Sequence, residues 1–251
     1  MQMTDELQWG GKPSPPGAFV TTHWSVILNA GDTASSQADE AMSRLCQTYW
    51  YPLYAYVRRQ GYAADQAQDL TQEFFARLLA RNYLRSVDRQ KGKFRWFLLA
   101  AMEHFLAKEW RDAHRLKRGG GKTILSLDER DAEDRYRIEP AEPMTAERLY
   151  ERRWALTLLD QAMQRLRAEF EAADKLPLFE VLQIFLSGER PGVTQAQAGG
   201  RLNMSEGAMN VAVHRLRRRY AELLREEIGN TVSSPDEVDE ELRYLRSVVS
   251  S

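Results

Sequence analysis

Residues 194–220 read TQAQAGGRLNMSEGAMNVAVHRLRRRY and predict two helices separated by a tight turn. The first helix covers 194–202 and the turn falls at Asn203-Met204. Ser205 is suited to begin the second helix, because its hydroxyl can accept a hydrogen bond from an otherwise unpaired N–H of the first turn. Apolar residues then recur every three or four positions, which predicts one buried stripe: Met209, Val213, Leu216, Tyr220 and Leu223.

The opposite face of the second helix is polar and basic, with Glu206, Asn210, His214, Arg215, Arg217 and Arg218. An Arg side chain can bond guanine bidentately and an Asn side chain can bond adenine, while further Arg residues hold phosphates. A helix with a buried back and such a front suits the major groove of DNA. An ordinary amphipathic surface helix has the same periodicity, so the pattern alone leaves that alternative open.

The run SEGAMNVAVHRLRRRYAELL, which begins at Ser205, resembles the promoter-reading helix of bacterial sigma factors of the extracytoplasmic-function (ECF) type. This chain has Met209 where that family usually has Val, and Gly199-Gly200 where Ala and an acidic residue are usual. Each Gly in a helix costs about 1 kcal/mol relative to Ala, so we expect a less rigid first helix. The resemblance implies a helix-turn-helix at 194–219 that binds the minus-thirty-five promoter element through Ser205, Glu206, Asn210, His214, Arg215 and Arg218.

A second motif, which is acidic, lies upstream in the predicted helix DQAQDLTQEFFARLLARN that begins at Asp65. Its inner face carries Ala67, Leu70, Phe74 and Leu78, and its acidic residues gather on another face, as they would on any solvated helix. The run DLTQEFF nevertheless resembles the sigma-factor helix that docks on the clamp of RNA polymerase core enzyme. The resemblance implies a core-polymerase contact made by Asp69, Gln72, Glu73 and Phe74.

The next segment, 92–118, mixes aromatic and basic residues in the sequence GKFRWFLLAAMEHFLAKEWRDAHRLKR. Such a mixture can stack on unpaired bases while the charges follow the backbone, although the periodicity assigns Phe97 and Phe105 to the core. The segment is similar to the part of sigma factors that recognises and melts the minus-ten element, and the loop 83–93 takes the place of the base-capturing loop. The positions implied for DNA binding are Phe94, Arg95, Trp96, Trp110, Arg111 and Arg115.

Composition excludes several other classes of protein. The chain has 251 residues, of which 43% are hydrophobic and 28% charged, as in globular proteins. The single Cys46 fits a reducing cytoplasm, and the four His residues lack metal-site spacing, so we predict no metal and no cofactor. There is no run of 18 apolar residues and no secretory signal, so we expect no membrane association.

The glycines at 119–123, GGGKT, do not form a phosphate-binding loop. That motif needs Gly where this chain has Leu116, and it needs a strand before the loop. We therefore interpret the glycines as the start of a linker.

A long helix from Thr145 and a second helix at 176–188 should build the bundle that carries the helix-turn-helix. Pro52 should kink or restart the helix predicted at 38–60.

The tail at 234–251 predicts a short amphipathic helix with Val238, Leu242, Leu245 and Val249 on one face and acidic residues on the other. A helix of this length is marginal alone in water, so it should be ordered only where its stripe docks. Two hypotheses follow: the tail is a packing extension, or it is a restraint that screens the basic DNA-binding surfaces of the free protein. The charges alternate in blocks along the chain, which suggests two separate nucleic-acid surfaces that are joined and followed by acidic connectors.

The sequence therefore predicts an all-α protein with two small helical domains similar to sigma domains 2 and 4. We expect an N-terminal disordered segment at 1–18, a first domain at 19–118, a linker at 119–144, a helix-turn-helix domain at 145–228 and an extension at 229–251. The resemblance implies a sigma factor that binds RNA polymerase core and promoter DNA, sometimes under an anti-sigma or other regulatory protein, without catalytic residues or a small-molecule substrate. The alternative is a stand-alone helix-turn-helix repressor or activator that acts without the polymerase contact.

Overall fold

A computed structural model describes residues 36–80, 93–115, 129–137, 144–186, 192–232 and 234–250. Within these ranges the chain is helical with short turns and has no strand, which confirms the all-α prediction. The predictions for 1–18 and for the glycines at 119–123 lie outside the described residues. So does the base-capturing loop, apart from Lys93.

Nine α-helices are described. They are α1 (Ser36–Arg59), α2 (Ala64–Ala80), α3 (Phe94–Arg115), α4 (Glu129–Arg137), α5 (Ala146–Ala172), α6 (Leu176–Leu182), α7 (Gln195–Arg201), α8 (Glu206–Gly229) and α9 (Val238–Val249). Short 3-10 turns follow α6 at Gln183–Phe185 and precede α9 at Pro235–Glu237. The helices predicted from periodicity are thus all present, with ends shifted by a few residues.

Helix α1 passes through Pro52 without interruption, so the predicted restart is wrong. Pro52 is buried, and its neighbours Tyr49, Leu53 and Tyr56 are 2%, 0% and 2% exposed. Burial of these side chains on both sides of the proline offsets the single missing backbone hydrogen bond. The helix ends as predicted at Gly61, whose φ of 98° is a left-handed conformation that glycine adopts without strain.

The core is built where α1 lies along α5. Leu53 from α1 and Trp154, Leu158 and Ala162 from α5 are each at most 1% exposed. The side-chain amide of Gln161 donates to the hydroxyl of Thr48 at 3.1 Å across the same contact. One continuous apolar cluster therefore includes helices from both predicted domains, and their division at 119–144 stays a prediction.

The predicted linker contains a docked helix, α4. Its Glu133 carboxylate accepts a hydrogen bond from the Tyr54 hydroxyl at 2.6 Å and another from Arg58 Nη2 at 2.9 Å. The hydrogen bonds from Arg58 are the largest cause of a Glu133 pKa below its ordinary value. Ala132 is buried beside them. The Tyr136 ring also packs edge-on against Tyr54, with centroids 6.5 Å apart. Sequence reasoning missed this helix, because Ala132 and Tyr136 are its only apolar residues and make no amphipathic stripe.

Helix α5 is also the platform on which α8 rests. The long helix predicted from Thr145 is α5, and Thr145 is its N-cap, whose hydroxyl accepts from the backbone N–H of Arg148 at 3.2 Å. From α8, Arg219 Nη2 donates to Glu169 at 2.6 Å and the Tyr220 hydroxyl donates to the carbonyl of Leu159 at 3.2 Å. These contacts fix the rotation of α8, so that its polar front faces away from the core.

Candidate nucleic-acid and polymerase interfaces

The helix-turn-helix consists of α7, a turn at 202–205 and α8. Thr194 caps α7 in a reciprocal arrangement, in which its hydroxyl accepts from the N–H of Gln197 and the Gln197 side chain accepts from the N–H of Thr194. Ser205 caps α8 as predicted, accepting from the N–H of Ala208 at 3.2 Å. Both helix starts are therefore fixed by local hydrogen bonds.

The turn needs one of the two glycines of α7. Asn203 has a φ of 53°, and the N–H of Met204 donates to the carbonyl of Gly199 at 2.9 Å, which folds the turn back onto the helix. A Cβ on Gly199 would lie 3.0 Å from the Met204 carbonyl oxygen and 3.6 Å from the Cβ of Met209. Gly199 therefore permits the close approach of the turn, whereas Gly200 faces open space.

The back of α8 is buried as predicted. Met209, Val213, Leu216 and Leu223 are at most 2% exposed, and Tyr220 is half-buried. The front is exposed at the predicted DNA-binding positions: Ser205, Glu206, Asn210, His214, Arg215 and Arg218. Arg218 donates to the Glu222 carboxylate at 3.0 Å, an exposed pair that a phosphate can replace at little cost.

Two further residues of α8 have positions that the periodicity did not describe. Arg217 was grouped with the basic front, but its Nη2 and Nε donate to the carbonyl of Phe185 at 2.9 Å and 3.1 Å. These bonds tie α8 to the end of the α6 region, although the residue stays exposed. Val211 was not predicted as a surface residue, yet it is 50% exposed beside Asn210. Its position outside the predicted apolar stripe of α8 could have indicated that Val211 is exposed.

The predicted polymerase contact is divided between surface and core. Asp69 and Glu73 are exposed on α2, and Glu73 pairs with Arg77 one turn later. Gln72 and Phe74 are buried at 9% and 4% exposure. The Phe74 ring packs edge-on against Phe105 of α3, with centroids 5.8 Å apart. The two exposed carboxylates lie one turn apart on α2, whereas the side chains of Gln72 and Phe74 are packed in the core.

The predicted minus-ten residues on α3 are also divided between the surface and the core. Trp96 and Trp110 are 39% and 59% exposed, and Arg111 is exposed beside Trp110. Trp96 and Trp110 are separated by fourteen positions, so they share one side of the helix about 21 Å apart along its axis. Phe97 is half-buried against the core and Phe105 is buried, as the periodicity indicated. Arg115 is the last residue of α3.

Phe94 and Arg95 do not share this exposure. Phe94 packs edge-on against Tyr49 of α1, with ring centroids 5.4 Å apart. Arg95 is 3% exposed, and its side chain bonds to Glu241 of α9. In this conformation both side chains are buried, so the exposed α3 face, defined here as Trp96, Trp110 and Arg111, excludes them.

Within the described ranges, no group of three or more His, Cys, Asp or Glu side chains could hold a metal ion. No helix among the described residues is long and apolar enough to cross a membrane.

Neither the comparison with curated proteins nor the comparison with solved structures found a match. The model of the family described as ECF sigma factor matches residues 30–226, which covers helices α1 to α7 and most of α8. The chain therefore belongs to the ECF sigma factor family, whose members are non-enzymatic proteins of transcription initiation.

Proposed function

We propose that this protein is a dissociable promoter-specificity subunit that acts in the cytoplasm. It binds RNA polymerase core through the acidic face of α2, reads the minus-thirty-five element with α8 and helps to open the strands at the minus-ten element with α3. It carries out no covalent chemistry of its own. The observation that carries the proposal is the exposed polar front of α8, opposite an apolar back that packs in the core, within a chain whose family match covers residues 30–226.

The proposal is tested with the purified full-length chain and core polymerase. We expect the chain to bind core enzyme in a pull-down and to direct transcription from a subset of sequences in a promoter library. A chain that binds duplex DNA but neither binds core enzyme nor starts transcription would be the stand-alone repressor or activator instead.

The front of α8 suits a major groove. Asn210, His214 and Arg218 follow one another at steps of four along the helix, so they project on one side of it. We propose that Asn210, His214 and Arg215 contact base edges and that Arg218 holds a phosphate. Val211, exposed between them, is placed to touch a thymine methyl group.

The roles of Arg215 and Arg218 are separable by mutation. Arg215→Ala is expected to cost about 1–3 kcal/mol on the preferred promoter and to relax the preference at one base pair. Arg218→Ala is expected to weaken binding to all sequences alike and to lower the salt slope by about one unit. Selection of promoters by the polymerase complex of each variant, at two salt concentrations, measures both effects. Equal losses on every sequence in both variants would show that α8 is only a charge patch.

A further inference from the structure

Four arginines lie close together in α8, and they do not share one environment. Arg215 and Arg218 are exposed on the front of the helix, where we place contacts with DNA. Arg217 and Arg219 donate hydrogen bonds to acceptors in other parts of the chain. These hydrogen bonds point to a role other than contact with DNA.

Arg219 is held by a carboxylate of α5 through two parallel hydrogen bonds. Its Nε donates to Glu169 Oε2 at 2.9 Å, and its Nη2 donates to Glu169 Oε1 at 2.6 Å. This arrangement fixes the plane of the guanidinium as well as its position. The hydrogen bonds with Glu169 are the main reason that the pKa of Arg219 lies above its ordinary value. Arg219 therefore links α8 to α5 in one defined geometry.

Arg217 makes a similar link on the other flank of α8. Its Nη2 and Nε donate to the carbonyl of Phe185 at 2.9 Å and 3.1 Å. Phe185 is 3% exposed and lies in the 3-10 turn after α6, so the acceptor is anchored in the core. Two hydrogen bonds from one rigid guanidinium to one carbonyl oxygen again restrict the orientation of that group.

The two arginines lie on either side of Arg218. Successive residues of an α-helix are about 100° apart around its axis, so Arg217 and Arg219 flank Arg218 on opposite sides. A rotation of α8 about its axis would move the donors on both flanks away from their acceptors. For side-chain atoms about 6 Å from the axis, a rotation of about 10° is a displacement of roughly 1 Å. That displacement exceeds the range of about 0.5 Å within which an N–H···O hydrogen bond keeps its length.

We propose that Arg217 and Arg219 form a two-sided brace that sets the rotation of α8, and hence which base edge each front residue meets. Both are positioning residues and do not touch DNA. Arg218 differs from them, because its partner Glu222 belongs to the same helix and their ion pair does not resist rotation. The brace rests on the proposed reading of the minus-thirty-five element by α8.

The alternative role for Arg219 is a phosphate contact like the one proposed for Arg218. The substitution Arg219→Lys separates the two roles, because lysine keeps the positive charge but lacks the planar fork of the guanidinium. A lysine can still hold a phosphate, whereas it cannot reproduce the paired hydrogen bonds to Glu169. The substitution Glu169→Gln removes the anchoring charge and leaves Arg219 in place.

Promoter selection by the polymerase complex of each full-length variant, at two salt concentrations, measures the base preference and the salt slope. We expect Arg219→Lys and Glu169→Gln each to lower discrimination by at least about fivefold at two or more neighbouring base pairs, because several front residues shift together. The salt slope should stay unchanged, since no phosphate contact is lost. The double variant should lose no more than either single variant, because both break the same contact.

The other flank and two controls complete the set of variants. Arg217→Gln should broaden the preference in the same way, through the loss of its bonds to the Phe185 carbonyl. Arg167→Gln removes one exposed positive charge from α5 and should change neither the preference nor the slope. Arg218→Ala should lower the slope by about one unit, which shows that the assay detects a lost phosphate contact. Melting temperatures of the Arg219 and Glu169 variants should stay close to that of the unchanged chain, because pairs this exposed contribute little to stability.

The brace is overturned if Arg219→Lys keeps the base preference while Glu169→Gln tightens binding to all sequences, which would make Arg219 a phosphate contact. It is equally overturned if the variants lower the melting temperature and leave the preference unchanged. If the unchanged chain selects no promoter, the proposed function fails and the brace fails with it. If the unchanged chain selects promoters and the brace variants select the same ones to the same degree, only the brace fails.

Discussion

Charge reversal of the acidic face, Asp69→Lys with Glu73→Lys, is expected to abolish binding to RNA polymerase core. Both side chains are exposed on α2, so the change does not enter the core of the protein. The pair between Glu73 and Arg77 lies at the surface, where its loss has little effect on stability. Like charges facing each other across an interface cost several kcal/mol, which corresponds to a loss of affinity of more than about a hundredfold. Titration of labelled core enzyme with each protein measures this loss of affinity.

A matched control is Glu171→Lys with Glu180→Lys, two exposed carboxylates of the C-terminal half that change the net charge equally. This control should bind core enzyme as the unchanged chain does, and circular dichroism should show equal helicity in both. Unchanged core affinity after reversal at 69 and 73 would reject the assignment. Phe74→Ala is a poor test, because removing a buried Phe costs about 3–5 kcal/mol of stability and would weaken binding indirectly.

Strand opening is expected to slow in Trp96→Ala and in Arg111→Ala. The Trp96 ring is 39% exposed on the α3 face and is available to an unstacked base, while Arg111 can follow the backbone. Stacking of a base on an aromatic side chain contributes about 1–3 kcal/mol, so we expect opening to fall by roughly ten- to a hundredfold for the Trp variant. Permanganate reactivity of the opened thymines, followed in time, measures the rate and extent of opening.

The control for this experiment is Lys108→Ala, which removes one exposed positive charge from the same helix but lies outside the α3 face. It should open promoters at close to the unchanged rate. Polymerase binding should be nearly unaffected in all three variants, because the proposed contact with core enzyme lies on α2. Unchanged permanganate reactivity in both Trp96→Ala and Arg111→Ala would show that this face does not handle the opened strands.

Helix positions and helix starts were predictable because they depend on neighbours within one or two turns. Thr145 and Ser205 were recognisable as starts, since a hydroxyl one residue before an apolar period has only local N–H groups to bond. The buried stripe of α8 followed from the same short-range spacing. The polar front of α8 was therefore predictable almost residue by residue.

Other assignments depended on which helices meet. Phe74, Phe94 and Arg95 have the residue types of a binding surface, yet all three are buried because α1, α3 and α9 pack over them. Arg217 belongs by periodicity to the basic front of α8, but a carbonyl at the end of the α6 region lies within its reach. Periodicity specifies that a side chain points to one side of its helix, not what lies on that side.

The sequence alone was enough to predict an all-helical protein that resembles ECF sigma factors and has an acidic motif upstream of a helix-turn-helix. Tertiary structure alone showed that α4 docks on α1, that Gly199 admits the turn, and that α9 covers the start of α3. The reason is the range of the interactions. Capping and amphipathic burial act over three or four residues, whereas Arg95 and Glu241 are 146 positions apart and meet only after the helices have packed.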